Sequence, residues 1–456
     1  MQALLRDAAE RALSYLAALD GRTVAPDATA LAGLNAFDQP LPHASTDPRE
    51  VLALLDQVGS PATVASAGGR YFGFVTGGSL PATVAASWLA AAWDQNASLS
   101  VMSPVSIKLE QVAGRWLAEL LNLPQGSAFA LVSGATMANL AGLAAARHAL
   151  LARQGWDVEA SGLFGAPPLT VVVGDEVHVS VLKALGLLGL GRERVVRVPV
   201  DRQGRLRVEA LPVLDERTIL CLQAGNVNTG AFDPAREVCE RARAAGAWVH
   251  VDGAFGLWAA AAPGRTYLAD GLDLADSWAT DAHKWLNTPY DSGIAFCREP
   301  AHLRGAMAVL APYLQLGEHR EPQHYGPEFS RRARGVEVWA ALHSLGRDGV
   351  AELVERCCRH ASRFATGLRE AGHTVLNDVV LNQVLVSFGD DETTRRVIAG
   401  VQADGTCWCG GTVWQGRAAM RISVSSWATT AEDVERSLKA ICRVAAHELA
   451  PQGRPA

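Results

Sequence analysis

The chain has 456 residues, 49% of them hydrophobic and 19% charged, with a formal net charge of -6. That length and apolar content can bury a large core without disulfides or metals, and they suggest two or three domains. The mild negative charge offers no basic footprint, so neither nucleic acid nor an anionic membrane surface is expected as a partner. At the N-terminus, Met1 to Asp20 mixes Arg, Asp and Glu with Leu and Ala at helical spacing. This is unlike a signal peptide and reads as a surface or dimer-contact helix. A Pro-rich connector, Asp38-Gln-Pro-Leu-Pro42, follows within a helical segment spanning residues 1–60. No window approaches the roughly eighteen uninterrupted apolar residues of a membrane span, so a cytoplasmic protein is expected.

From about residue 129 to 297, short apolar runs alternate with helical patterns: Phe129 to Val132, Thr170 to Val173, Ile219 to Leu222, Trp248 to Val251 and Ile294 to Cys297. Near-continuous apolar strands of this kind predict a mostly parallel sheet covered on both faces by helices. Met137 to Leu151, rich in Ala, Leu and Gly, reads as a helix buried against it. These elements define a large α/β domain over 61–330. A helix from Val336 to Leu345, a strand at Met420 to Val424 and a capped helix beginning at Thr430 define a small α+β domain over 331–456. The eight cysteines form neither a disulfide framework nor a zinc cluster. They are expected to be reduced and mostly buried, with an exposed Cys409 left open.

In open α/β sheets, ligands bind beyond the carboxyl ends of the strands. Four polar groups fall there in order. Ser133-Gly-Ala-Thr136 follows a strand and opens a helix, offering N–H groups and a hydroxyl to a phosphate, although such a turn is also an ordinary N-cap. His178 ends Gly174-Asp-Glu-Val-His178. Asp252, in His250-Val-Asp-Gly-Ala254, places a carboxylate at a buried strand end beside two small residues, where it needs a cation or several hydrogen bonds. A protonated pyridine nitrogen would be such a cation. Lys284, in Asp281-Ala-His-Lys-Trp285, is flanked by Trp278, Trp285 and Leu286, an enclosure that would favour the nucleophilic amine. A phosphate cradle, a ring stacker, a carboxylate and a Schiff-base lysine are what pyridoxal 5′-phosphate requires.

These segments resemble the group II pyridoxal-phosphate-dependent amino-acid decarboxylases. The carrying stretches are Arg70-Tyr-Phe-Gly-Phe-Val-Thr-Gly77, Ser103-Pro104, Ser133 to Asn139, Asp175 to His178, Gly230 to Pro234, His250 to Ala254 and Asp276 to Trp285. The resemblance implies the aspartate-aminotransferase-like fold type I, with a seven-stranded mostly parallel sheet, and a homodimer with sites near the subunit interface. It implies that His178 stacks on the ring, that Asp252 partners the ring nitrogen and that Ala254 lies on the opposite face. Ala135, Thr136 and His283 would contact the phosphate, and Lys284 would form the internal aldimine. Asn226 and Asn228 stand where many relatives carry threonines.

Cofactor motifs do not choose the reaction. Tyr313, in Pro312-Tyr-Leu314, matches a loop tyrosine that returns a proton to Cα after CO2 leaves, and this favours decarboxylation. Gln315 to Glu328 reads as a lid. Phe74, Val75 and Thr76 match the substrate-pocket stretch. Arg421 is the residue that favours an aminotransferase instead, since an arginine before a C-terminal strand can clamp a substrate carboxylate. A carbon-carbon lyase, an oxidative aldehyde synthase and an inactive regulatory homologue are the remaining alternatives.

Overall fold

The computed structural model describes residues 1–309 and 320–450. The first helix, α1 (Gln2–Ala18), opens a helical segment in which few side chains reach the core. Across residues 1–64 only Leu19 and Val24 are buried, while Leu5, Leu13, Leu31 and Leu55 stay exposed.

The central sheet has seven strands: β1 (Ala128–Val132), β2 (Thr170–Gly174), β3 (Val196–Val198), β4 (Thr218–Gln223), β5 (Trp248–Asp252), β6 (Ser277–Asp281) and β7 (Gly293–Cys297). Their spatial order is β1-β7-β6-β5-β4-β2-β3. Only β7 runs against its neighbours; the other four pairings are parallel. Five of the strands are the apolar runs read from the sequence. β3 escaped that reading because it is three residues long and largely exposed, and β6 because Ser277-Trp-Ala-Thr-Asp281 breaks the apolar pattern.

Alternate side chains divide between the two faces of the sheet, as the pleat requires. Leu131, Val172, Leu220, Leu222, Val249 and Trp278 join one apolar cluster, and Val132, Val171, Val173, Ile219, Cys221 and Ala279 the other. The first face is covered by α2 (Pro104–Leu120), and the second by α3 (Ala135–Arg153), α4 (Val179–Leu187) and α5 (Pro300–Met307). Twelve of the 19 residues of α3 are buried, and its Ala and Gly side chains allow close approach to the strands. Gly142 is needed there: a Cβ would come within 2.6 Å of the His250 ring.

The C-terminal part begins with α6 (Gly335–Glu370), which is broken at Gly346, where φ is 60 and ψ is -176. The expected helix thus ends at the expected place and a second continues from it. Beyond it, β8 (Thr374–Val375), β9 (Gln383–Ser387), β10 (Gly410–Trp414) and β11 (Arg417–Ser423) form an antiparallel sheet in the order β10-β11-β9-β8. It is accompanied by α7 (Asp391–Asp404) and α8 (Ala431–Leu449). A capping box between Thr430 and Asp433 starts α8 where the sequence indicates. The cysteines are free and all but Cys442 are buried, Cys409 among them, so the exposed Cys409 left open above is excluded.

Candidate active site

The polar groups gather at the carboxyl ends of β1, β2, β5 and β6. After β1, Gly134 is the N-cap of α3 and supplies no side-chain cap, so the first N–H groups of the helix, those of Ala135 and Thr136 included, lack intrahelical partners. A Cβ on Gly134 would lie 3.6 Å from Asp281 Oδ1 and 3.9 Å from His283 Cε1, which sets this turn against the one bearing the lysine. After β2, His178 caps α4: its Nδ1 accepts from the Ser180 N–H at 3.2 Å and lies 2.8 Å from Ser180 Oγ. Burial pushes the His178 pKa down, Asp252 opposes this, and Lys284 and Arg421 push it down again. With Nδ1 accepting, the neutral ring carries its hydrogen on Nε2.

Asp252 closes β5 and is only 5% exposed. Its Oδ1 accepts from the Ala254 N–H at 3.2 Å, and its Oδ2 from Asn139 Nδ2 at 3.2 Å and Ser180 Oγ at 3.4 Å. Its partners are neutral, and among the described residues no cation pairs with it. Lys284 Nζ instead lies 3.0 Å from Asp281 Oδ2, with His283 Nε2 3.7 Å from the same oxygen. Burial pushes the His283 pKa down, against the pull of Asp281.

Enclosure of the lysine by Trp278, Trp285 and Leu286 is an expectation the structure corrects. Those three belong to the apolar core, while the Lys284 side chain keeps 18% exposure and pairs with a carboxylate. Asn287, absent from the sequence reading, holds the lysine turn in place. Its Nδ2 donates to the carbonyls of Lys284, Trp285 and Ser425 at 3.2, 2.9 and 3.0 Å, and its Oδ1 accepts from the Trp427 N–H at 2.7 Å. The loop carrying Phe74 packs on the same turn, and a Cβ on Gly77 would collide with the Lys284 carbonyl at 2.0 Å.

In that loop Phe74 and Val75 have left-handed backbone, with φ of 54 and 58, an arrangement that costs energy for such side chains. It turns Phe74 outward, 63% exposed and stacked on Trp408, and sends Val75 into the core at 1% exposure. Val75 therefore has no open side chain to offer a substrate, in contrast to the expectation. Thr76 Oγ1 lies 3.5 Å from the Tyr290 hydroxyl, and Tyr290 packs on His283 with ring centroids 4.3 Å apart. Arg421, on β11, is largely enclosed, and burial lowers its pKa while Tyr71 opposes this. Its one hydrogen bond runs from Nη1 to the Val227 carbonyl at 3.4 Å, and no carboxylate pairs with it among the described residues. Among the described residues no salt bridge gives it a purely structural role.

Asn226 Oδ1 accepts from the N–H groups of Asn228 and Thr229 at 2.9 and 3.2 Å, so this side chain is occupied by its own turn. Asn228 Oδ1 accepts from Thr412 Oγ1 at 3.1 Å. Tyr313 lies outside the described residues. The described part of the expected lid is anchored: Arg320 Nη1 meets Glu110 Oε1 at 3.2 Å, the Glu321 carboxylate accepts from the Ser100 N–H at 2.7 Å, and Pro322 to His324 are buried. The lid expectation fails from Arg320 to His324. Asn139 and Ser180 as partners of Asp252 were also missed, since these pairings join different elements, and so was Asp281 as partner of Lys284, although it lies only three residues before the lysine on the same turn.

The donor set fits pyridoxal phosphate. It combines an amine, a buried carboxylate that no cation pairs with among the described residues, an imidazole that feels the charge of both, and a helix start with free N–H groups. The pyridoxal-dependent decarboxylase conserved domain matches residues 62–389, and the chain belongs to that family. Aromatic-L-amino-acid decarboxylase of Bacillus atrophaeus is 27% identical over 325 residues, which are 68% of this chain and 65% of the relative. L-2,4-diaminobutyrate decarboxylase of Rhizobium meliloti (strain 1021) is 28% identical over 80% of this chain and 74% of its own. The crystal structure of Oryza sativa TDC with PLP and tryptamine superposes with a TM-score of 0.89 over 98% of this chain and 97% of that one; at 22% identity this speaks for the fold. The fold is thus fold type I α/β. Among the described residues no helix is long and apolar enough to cross a membrane.

Proposed function

We propose that this chain decarboxylates an L-amino acid to the amine, with pyridoxal phosphate attached through Lys284. The observation that carries the reading is Asp252, a buried carboxylate held by neutral donors and paired with no cation among the described residues, at the same edge of strand ends as Lys284 and His178. When bound, the cofactor supplies an aldehyde for the substrate amine and a ring that withdraws electrons from the bond that breaks. Asp252 would hold a proton at the ring nitrogen. His178 would cover one ring face and Ala254 the other, while Ala135, Thr136 and His283 would hold the phosphate. Thr76 and the exposed ring of Phe74 would border the substrate. Arg421 would orient the substrate carboxylate, and Tyr313 would return a proton at Cα.

Arg421 also favours the second reading. A half-buried guanidinium with no carboxylate partner among the described residues suits a clamp that retains the substrate carboxylate, as an aminotransferase requires. One experiment separates the two. The enzyme loaded with pyridoxal phosphate is incubated with a panel of amino acids while CO2, keto acid and peroxide are measured together. CO2 with the matching amine is expected. Keto acid without CO2 would sink the decarboxylase reading, and peroxide with aldehyde would favour oxidative chemistry. Borohydride should fix the cofactor to wild type and not to Lys284→Ala.

The exposed leucines of the N-terminal segment support a homodimer, with a second copy covering them. Sedimentation as a monomer at micromolar concentration would overturn it.

A further inference from the structure

Behind Asp252 lies a run of buried polar side chains that the proposed chemistry does not use. Trp248, Ser277, His250 and Asn139 are each no more than 2% exposed. Trp248 Nε1 lies 3.0 Å from Ser277 Oγ, Ser277 Oγ 2.8 Å from His250 Nδ1, and His250 Nε2 2.9 Å from Asn139 Oδ1. Asn139 Nδ2 then reaches Asp252 Oδ2 at 3.2 Å.

Elementary chemistry orients every link. A carboxylate only accepts, so the Asn139 atom against it is the NH2, and Oδ1 is turned toward His250. Oδ1 also only accepts, which puts the hydrogen of His250 on Nε2 and leaves Nδ1 to accept from the Ser277 hydroxyl. Ser277 Oγ accepts in turn from the indole N–H, which can only donate. Burial pushes the His250 pKa down to about 4, in keeping with a neutral ring that carries one hydrogen. Room for that ring exists because residue 142 is glycine.

We propose that Asn139 and His250 are positioning residues for Asp252: an oriented chain of neutral donors keeps its carboxylate ionised and fixed, so that the proton shared with the cofactor's ring nitrogen stays on the ring. This rests on the reading of Asp252 as the partner of that nitrogen. Each donor polarises the next, and a carboxylate with good donors is a poorer base. A neutral relay also leaves the carboxylate's charge to the ring, where an arginine in its place would compete for it.

The test loads the apoenzyme with saturating ring-15N pyridoxal phosphate and reads the nitrogen resonance at neutral pH, together with cofactor affinity and thermal midpoint. In His250→Phe the resonance should move toward the unprotonated pyridine position, with cofactor affinity down about tenfold for loss of a relay to a charged group. His250→Gln, which keeps a donor near the Nε2 position, should restore most of both. A His250→Phe enzyme with a lowered thermal midpoint and an unmoved resonance would overturn the proposal, leaving the relay as packing. If that variant does not fold, Ser277→Ala should give a smaller shift of the same sign, and no shift would count against the relay. Asp252→Ala separates the two claims: if its resonance matches wild type, the underlying assignment of Asp252 fails, whatever His250 does.

Discussion

Asp252 and Arg421 are both enclosed charges at one site, and the protein furnishes them in opposite ways. Asp252 receives donors from Ala254, Asn139 and Ser180, the second of which is itself backed by His250. Arg421 has one long hydrogen bond to a carbonyl and no anion among the described residues. The difference teaches which part of the bound assembly is fixed before ligand arrives. A carboxylate with its donors in place sets the position of a resident ring without reorganisation. A guanidinium with free donors gains its partner only when a substrate brings a carboxylate, so its contribution appears in substrate binding.

The largest effect that would sharpen this comparison is at Asp252. Asp252→Ala removes the counter-charge of the ring nitrogen and is expected to weaken cofactor binding by about a hundredfold or more, read by titrating apoenzyme with pyridoxal phosphate. Retention of wild-type affinity would mean that the ring is held elsewhere. Arg421→Met comes next: KM for the amino acid should rise by about tenfold or more, while cofactor affinity stays within about twofold. If cofactor affinity falls instead, the two ends are not separate and the contrast breaks.

The smallest effect is on stability. The folded pKa of His250, about 4, lies below the ordinary 6.5, so as pH falls the unfolded chain takes the proton first. Its stabilising contribution is therefore complete above about pH 6.5 and is lost as pH falls toward 4. Between pH 7 and about pH 5.5 the loss is about 1 kcal/mol, seen as a lower urea midpoint. His250→Gln should flatten that part of the profile, and an unchanged slope would mean that other groups carry it.

Legibility in the sequence followed the range of the interactions. Five of seven sheet strands and the helix after β1 were readable because burial on two faces writes itself into consecutive residues as apolar runs. β6 was not, because its Ser277 and Thr280 are buried among polar partners that come from other elements. The loop from Gln315 to Glu328 misled in its described part: its polar composition resembles a free lid, yet Arg320 and Glu321 are tied to Glu110 and Ser100, more than 200 residues earlier.

By itself the sequence determined the doubly covered α/β sheet, the family and the order of Ala135, Thr136, His178, Asp252 and Lys284 along it, since each is a local signal at the end of a strand. Only the tertiary structure decided how those groups are partnered. It set Asn139 against Asp252 with His250 behind it, sent Val75 to the core, and left Arg421 with no carboxylate partner among the described residues. The physical reason is that hydrogen bonds and ion pairs form between elements whose neighbours are set by sheet order, and spacing along the chain does not encode that order.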